Sequence, residues 1–111
     1  MDKIAQYRSV IKKILQEQAH YKPAHGDIEP MVVFDETHDH YQLLLLGWDL
    51  PRRVHSIIIH IRIHNGKVWL EHDGTDARIA RQLVAAGIPK KDIVLAFHPP
   101  DKRPYTDFAV A

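Results

Sequence analysis

Two of the nine histidines in this 111-residue chain form the pattern His38-Asp39-His40. On a strand, that spacing places both rings on one face with their backbones about 6.8 Å apart. Two such imidazoles with a carboxylate could hold zinc. No third ligand can be picked out by spacing. His60 and His64 share a face of another strand but lie about 13 Å apart along it, too far for one ion. Cysteine is absent, which excludes a thiolate metal centre and a disulfide framework alike. The carboxylates Asp27, Glu29, Asp35, Asp39, Glu71, Asp73 and Asp76 could in principle serve a metal-dependent nuclease or hydrolase. That chemistry needs two or three acids converging with a lysine or a metal. Only Glu71 and Lys67 fall together on one strand face, and Asp73 has a helix to cap. His72-Asp73-Gly74-Thr75 resembles a glycine-containing loop ahead of a helix N-terminus, which attracts anions. It lacks the further glycines of a dinucleotide or Walker loop, and Asp73 puts negative charge where the anion would sit. No catalytic residue, metal ligand or cofactor-binding residue is assigned.

The residues that stand out are aromatics and arginines. Trp48, Trp69, Tyr105 and Phe108 with Arg52, Arg53, Arg62 and Arg103 are of the types enriched among interface anchors, and they form the candidate partner-binding set. His60, Arg62, His64, Lys67 and Trp69 could instead bind a nucleic-acid strand by charge and stacking. The formal net charge of +1 weighs against a dedicated DNA-coating protein.

These side chains must be positioned by a short list of elements. Arg53–Gly74 reads as a β-hairpin around Asn65-Gly66, because both central residues of a type I′ turn need positive φ. The two-residue loop sets Ile63 opposite Val68, Ile61 opposite Leu70 and Ile59 opposite His72. Ile57, Ile59, Ile61 and Ile63 then form one apolar row with Val68 and Leu70. The other face carries His60, Arg62, His64, Lys67, Trp69 and Glu71, with Arg62 directly across from Trp69 for a cation–π contact.

Asp2 to about His20 reads as an amphipathic helix, with Ile4, Tyr7, Ile11, Ile14, Leu15 and Ala19 on one face and Asp2 as N-cap or first-turn acid. Ile28–Phe34 reads as a strand that Pro30 confines to an edge or a late start. Asp35–Asp39 is a polar turn, and His40–Trp48 is a strand whose leucine run implies that both faces are covered or that one is an interface. A second helix is expected over about Asp76–Ala86, capped by Asp73 or Thr75. It ends in a Gly87 C′ position and an Ile88 that touches Leu83. Ile93–Phe97 is a short strand. Phe108–Ala111 should pack on the core or pair with a strand edge. The sum is one domain over residues 1–111. It is α+β: a mainly antiparallel meander with an Asn-Gly hairpin, covered by an N-terminal helix and a second helix. At 45% hydrophobic residues the composition is globular, and no apolar run approaches the roughly 20 residues of a membrane helix. The lack of cysteine and of an apolar N-terminal leader favours the cytoplasm.

From MDKIAQYRSVIKKIL through YKPAHGDIEP, DHYQLLLLGWDLPRRVH, HNGKVWLEHDGTD, GIPKKDIVLAFHPPDKRPY and TDFAVA, the chain resembles the XisI-like family. These are the fdxN element excision controlling factor proteins of cyanobacteria and some other bacteria. His72 and Ala77-Arg78, at the start of the second helix, depart from the family pattern, which often has Gln and a small or glycine-containing pair there. The resemblance implies a non-enzymatic accessory role in programmed, site-specific excision of a DNA element, with a serine recombinase performing the strand chemistry. It implies a XisH-like protein as partner and DNA contacted indirectly through a recombinase complex. A homodimer is the expected assembly. The alternatives are a direct DNA-binding recombination directionality factor and a metal-dependent nuclease-type enzyme.

Overall fold

The computed structural model describes residues 2–111. Its elements run α1 (Lys3–Gln18), β1 (Asp27–Asp35), β2 (His40–Asp49), β3 (Arg52–His64), β4 (Lys67–Asp73), α2 (Ile79–Ala85) and β5 (Ile93–Leu95). The five strands form one sheet in chain order. Neighbours from β1 to β4 are antiparallel, and β4 and β5 are parallel because α2 carries the chain back across the sheet. The expected α+β architecture is the one observed. Pro30 sits on the edge strand, where a missing N–H is tolerated.

Each local signal has a visible consequence. Asp2 caps α1 by accepting from Ile4 N at 3.1 Å. Asn65 and Gly66 adopt φ +52° and +76°, the type I′ turn. At the end of α2, Gly87 N–H donates to Val84 O at 3.0 Å and Ile88 N–H to Leu83 O at 3.1 Å, which is the Schellman pattern. Ile88 and Leu83 are both buried.

The core lies between the two helices and one face of the sheet. Tyr7, Ile11, Ile14 and Leu15 of α1 meet Tyr41, Leu43, Ile59, Ile61, Val68 and Leu70, with Ile79 and Leu83 of α2 closing the cluster. Beside the exposed Lys12–Glu36 pair at 2.8 Å, two polar ties to less exposed carboxylates hold α1 down. At one, Tyr7 Oη donates to the buried Asp92 at 2.5 Å and Lys3 Nζ lies 2.7 Å from the same carboxylate. At the other, Arg8 donates twice to Asp39, at 2.8 and 3.1 Å, and Tyr41 Oη donates to Asp39 at 2.8 Å.

The hairpin differs from its expected register at two bulges. Leu43 pairs with Ile59 and Leu44 with Ile57, so Ile58 is the extra residue on β3. Side chains beyond a bulge change face. Ile57 thus leaves the apolar row and stands on the opposite side of the sheet, 44% exposed, while Ile58 packs against the core. A second bulge makes Glu71 the extra residue on β4, so Ile59 pairs with Asp73, and His72 pairs with His60. Ile61–Leu70 and Ile63–Val68 pair as expected.

Helix α2 starts later than its pattern predicts. Asp73 accepts from Thr75 N at 3.0 Å, Thr75 Oγ1 at 2.7 Å and Ile79 N at 3.2 Å. Thr75 Oγ1 accepts from Ala77 N at 3.1 Å. These side-chain bonds hold residues 74–78 in turns, and Arg78 enters the helix from the left-handed region at φ +54°. The C-terminal tail returns to the sheet: Phe108 packs against the core, and Ala109 forms a parallel bridge to Val94.

Candidate interaction surface

The face of the sheet opposite the helices carries most of the candidate residues, and the structure sorts them into two groups. On β3 and β4, Arg62 pairs with Trp69 and places its guanidinium 5.0 Å from the indole centroid. Arg103, from the distant tail, lies 5.6 Å from the same ring. Trp69 is thus contacted by two cations, an arrangement worth about 0.5–2 kcal/mol per contact depending on desolvation. Each partner is fixed from behind. Arg62 Nε donates to Glu71 at 2.7 Å, and Trp69 Nε1 donates to the His64 carbonyl at 3.0 Å. Arg103 donates to the carbonyls of His98, Ala96 and Val110 at 3.0, 3.4 and 3.3 Å.

The second group lies at the far end of the β2–β3 hairpin. Trp48 pairs with Arg53 across the strands, with the guanidinium 5.5 Å from the ring. Arg52 faces Asp49 at 3.6 Å. Eight residues of β3 lie between Arg53 and Arg62, roughly 30 Å of strand, so the two tryptophans do not form one site. Tyr105 is 87% exposed beside the Arg103 turn. Phe108 is half-buried, with Lys90 Nζ 5.8 Å over its ring, and serves the core instead.

The chemistry weighed for metals and catalysis is dispersed. His38 lies in the turn after β1, bonded to Asp35 at 2.8 Å, while His40 is on β2, so they do not share a strand face. His40 Nδ1 instead meets His60 Nε2 at 3.0 Å. Burial, and then the neighbouring His40, lower the His60 pKa below its ordinary value. Among the described residues no three His, Asp or Glu side chains converge as a metal site. Glu71 is engaged by Arg62, and Asp73 by its own loop. Asp39 is held below the usual carboxylate range by Arg8, against a smaller opposing effect of burial.

One concavity was not announced by any motif. A groove of about 670 Å³ runs between α2, the end of β5 and the tail, floored by Leu70, Ile79, Leu95 and Phe108 and lined by Arg78, Arg81 and Lys90. Its walls come from segments far apart in sequence, so no local spacing could reveal it.

These features define a small α+β protein with one helix-covered and one uncovered sheet face, the latter carrying a tryptophan between two arginines. The chain belongs to the XisI protein family, whose pattern matches residues 1–110. A XisI-like protein from Anabaena variabilis superimposes with a TM-score of 0.90 at 37% identity, covering 96% of this chain and 98% of that one. The fdxN element excision controlling factor XisI from the same organism gives 0.85 at 39% identity, covering 99% and 100%. No curated protein matches. No helix among the described residues is long and apolar enough to cross a membrane.

Proposed function

We propose that this chain is a non-enzymatic controlling factor for excision of a DNA element, acting by binding a XisH-like protein. The observation that carries this reading is the end-to-end match to the XisI family, including 39% identity over nearly the whole chain to a protein described as an excision controlling factor. The Trp69 cluster supports a protein interface as the mode of action. A tryptophan flanked by arginines is the residue set in which binding energy concentrates, and the backing bonds from Glu71 and the tail carbonyls reduce the entropy lost on docking. Strand cleavage and rejoining belong to a recombinase, and this subunit governs when they occur.

The test is co-expression with the XisH-like protein encoded nearest to the gene, with the tag on that partner only. Size-exclusion chromatography with light scattering should show a stoichiometric complex that Trp69→Ala weakens. No co-eluting complex would sink the reading. Direct DNA binding is the second reading, favoured by the same two guanidinia around an aromatic ring. It requires duplex binding by the isolated protein that falls steeply with salt.

A further inference from the structure

We propose that the uncovered face of β1–β3 joins this chain to a second copy of itself, two sheets stacked face to face about a twofold axis running along β2. Three cross-strand rows make the argument. Met31, Leu44 and Ile57 form the central row, and it is apolar although Met31 and Ile57 are 40% and 44% exposed. The row beside it reads Glu29, Leu46, His55, and the next Asp27, Trp48, Arg53. Across the face, charge runs from acid on β1 through apolar β2 to base on β3. Among the described residues neither Asp27 nor Glu29 has an ion-pair partner.

An isologous contact sets one patch against itself, so the patch must be self-complementary. A twofold axis along β2 lays β1 of one copy over β3 of the other at the same height. Asp27 then faces the partner's Arg53, Glu29 faces the partner's His55, Met31 faces the partner's Ile57, and Leu44 meets its own copy. Aligned sheets pack about 10 Å apart, within reach of these side chains. The other in-plane axis, across the strands, would lay β1 on β1 and bring acids against acids. The charge pattern selects the first arrangement and opposes the second. The stacking of Arg53 on Trp48 keeps the guanidinium on the face that needs it. Trp69 lies a strand further out on β4 and stays free for another partner.

Sedimentation velocity from about 1 to 200 µM at moderate salt should show a dimer, weakened about 100-fold in Kd by Leu44→Glu. Asp27→Arg alone should weaken it about tenfold, and the exchange Asp27→Arg with Arg53→Asp should restore most of the loss. Far-UV circular dichroism checks each variant. Should Leu44→Glu lose its fold, Met31→Lys on the exposed edge strand gives the same reading. A wild type that is monomeric throughout overturns the proposal. So does a dimer indifferent to both apolar variants, and an exchange that restores nothing overturns the axis.

Discussion

Tyr7→Phe isolates the tie between α1 and the turn that precedes β5. The ring is 5% exposed, its hydroxyl donates to Asp92 at 2.5 Å, and Lys3 contacts the same carboxylate from a side chain that is 57% exposed. A hydrogen bond to a charged group contributes about 1.5–3 kcal/mol, whereas so exposed an ion pair adds less than about 1 kcal/mol. The phenylalanine ring fills the same volume and Lys3 still serves the carboxylate, so the expected loss is about 2 kcal/mol. With an unfolding entropy of about 2.1 cal/mol/K per residue, that lowers Tm by about 8–9 °C in a chain of this length. Circular dichroism melts at fixed protein concentration read it. The pH dependence carries a sign. Burial raises the Asp92 pKa, but the hydrogen bonds from Lys3 and Tyr7 outweigh it and the carboxyl sits below its ordinary value. Its contribution is complete above the ordinary carboxylate range and is lost as pH falls through the folded-state value. The gap between wild type and Tyr7→Phe should narrow in acid. At the other end, burial and then Asp92 push the Tyr7 hydroxyl up to about 12. The folded state favours the neutral phenol, so that advantage is full below pH 10 and fades as pH rises through about 12. A loss under about 0.5 kcal/mol at neutral pH, or one undiminished in acid, would refute this account of the tie.

Three further outcomes are expected. Gly47→Ala drives a Cβ into the Asp27 carbonyl oxygen at φ +149°, so β1 must part from β2. The loss should reach about 3 kcal/mol or more, read as a collapse in Tm or soluble yield. Arg78→Gly relieves a left-handed conformation at φ +54° and should stabilise by about 0.5–1 kcal/mol in urea titrations, net of the entropy glycine brings to the unfolded chain. Asp39→Asn removes a carboxyl that Arg8 holds below its ordinary range. The variant should be less stable at neutral pH, with a flatter acid limb in a Tm-versus-pH series, because the stabilisation it lacks is present above that range and lost below it.

The parts of this fold legible in the sequence are those written in a few adjacent residues. Asn65-Gly66 specified its turn, Gly87-Ile88 its helix end, Asp2 its cap and Pro30 its edge position, each through a backbone constraint local to the residue. The bulges at Ile58 and Glu71 were not legible, since a register shift is decided by the neighbouring strand. Strict alternation therefore put Ile57 in the core. The late start of α2 was hidden for another reason: Asp73 and Thr75 can cap a helix or fold a turn with the same atoms, and here they do both. Of the candidate surface, the Arg62–Trp69 pair followed from the hairpin register. The arrival of Arg103 on the same ring did not, because it depends on how the tail returns over the sheet. The separation of Trp48 from Trp69 was implicit in strand length, but residue type alone grouped them.

The tail that lays Ala109 against Val94 limits how this protein can be recognised. Its N–H donates to the Ile93 carbonyl at 2.9 Å, occupying the outer side of β5. At the opposite margin Pro30 interrupts the row of donors along β1. Main-chain capture of an extended peptide, by which a sheet recruits a stranger as one more strand, needs a continuous unpaired ladder. One margin is already filled from within and the other is broken. Runaway sheet growth is discouraged by the same two features, so a partner of this chain would have to be chosen by side chains rather than by main-chain pairing at a sheet margin.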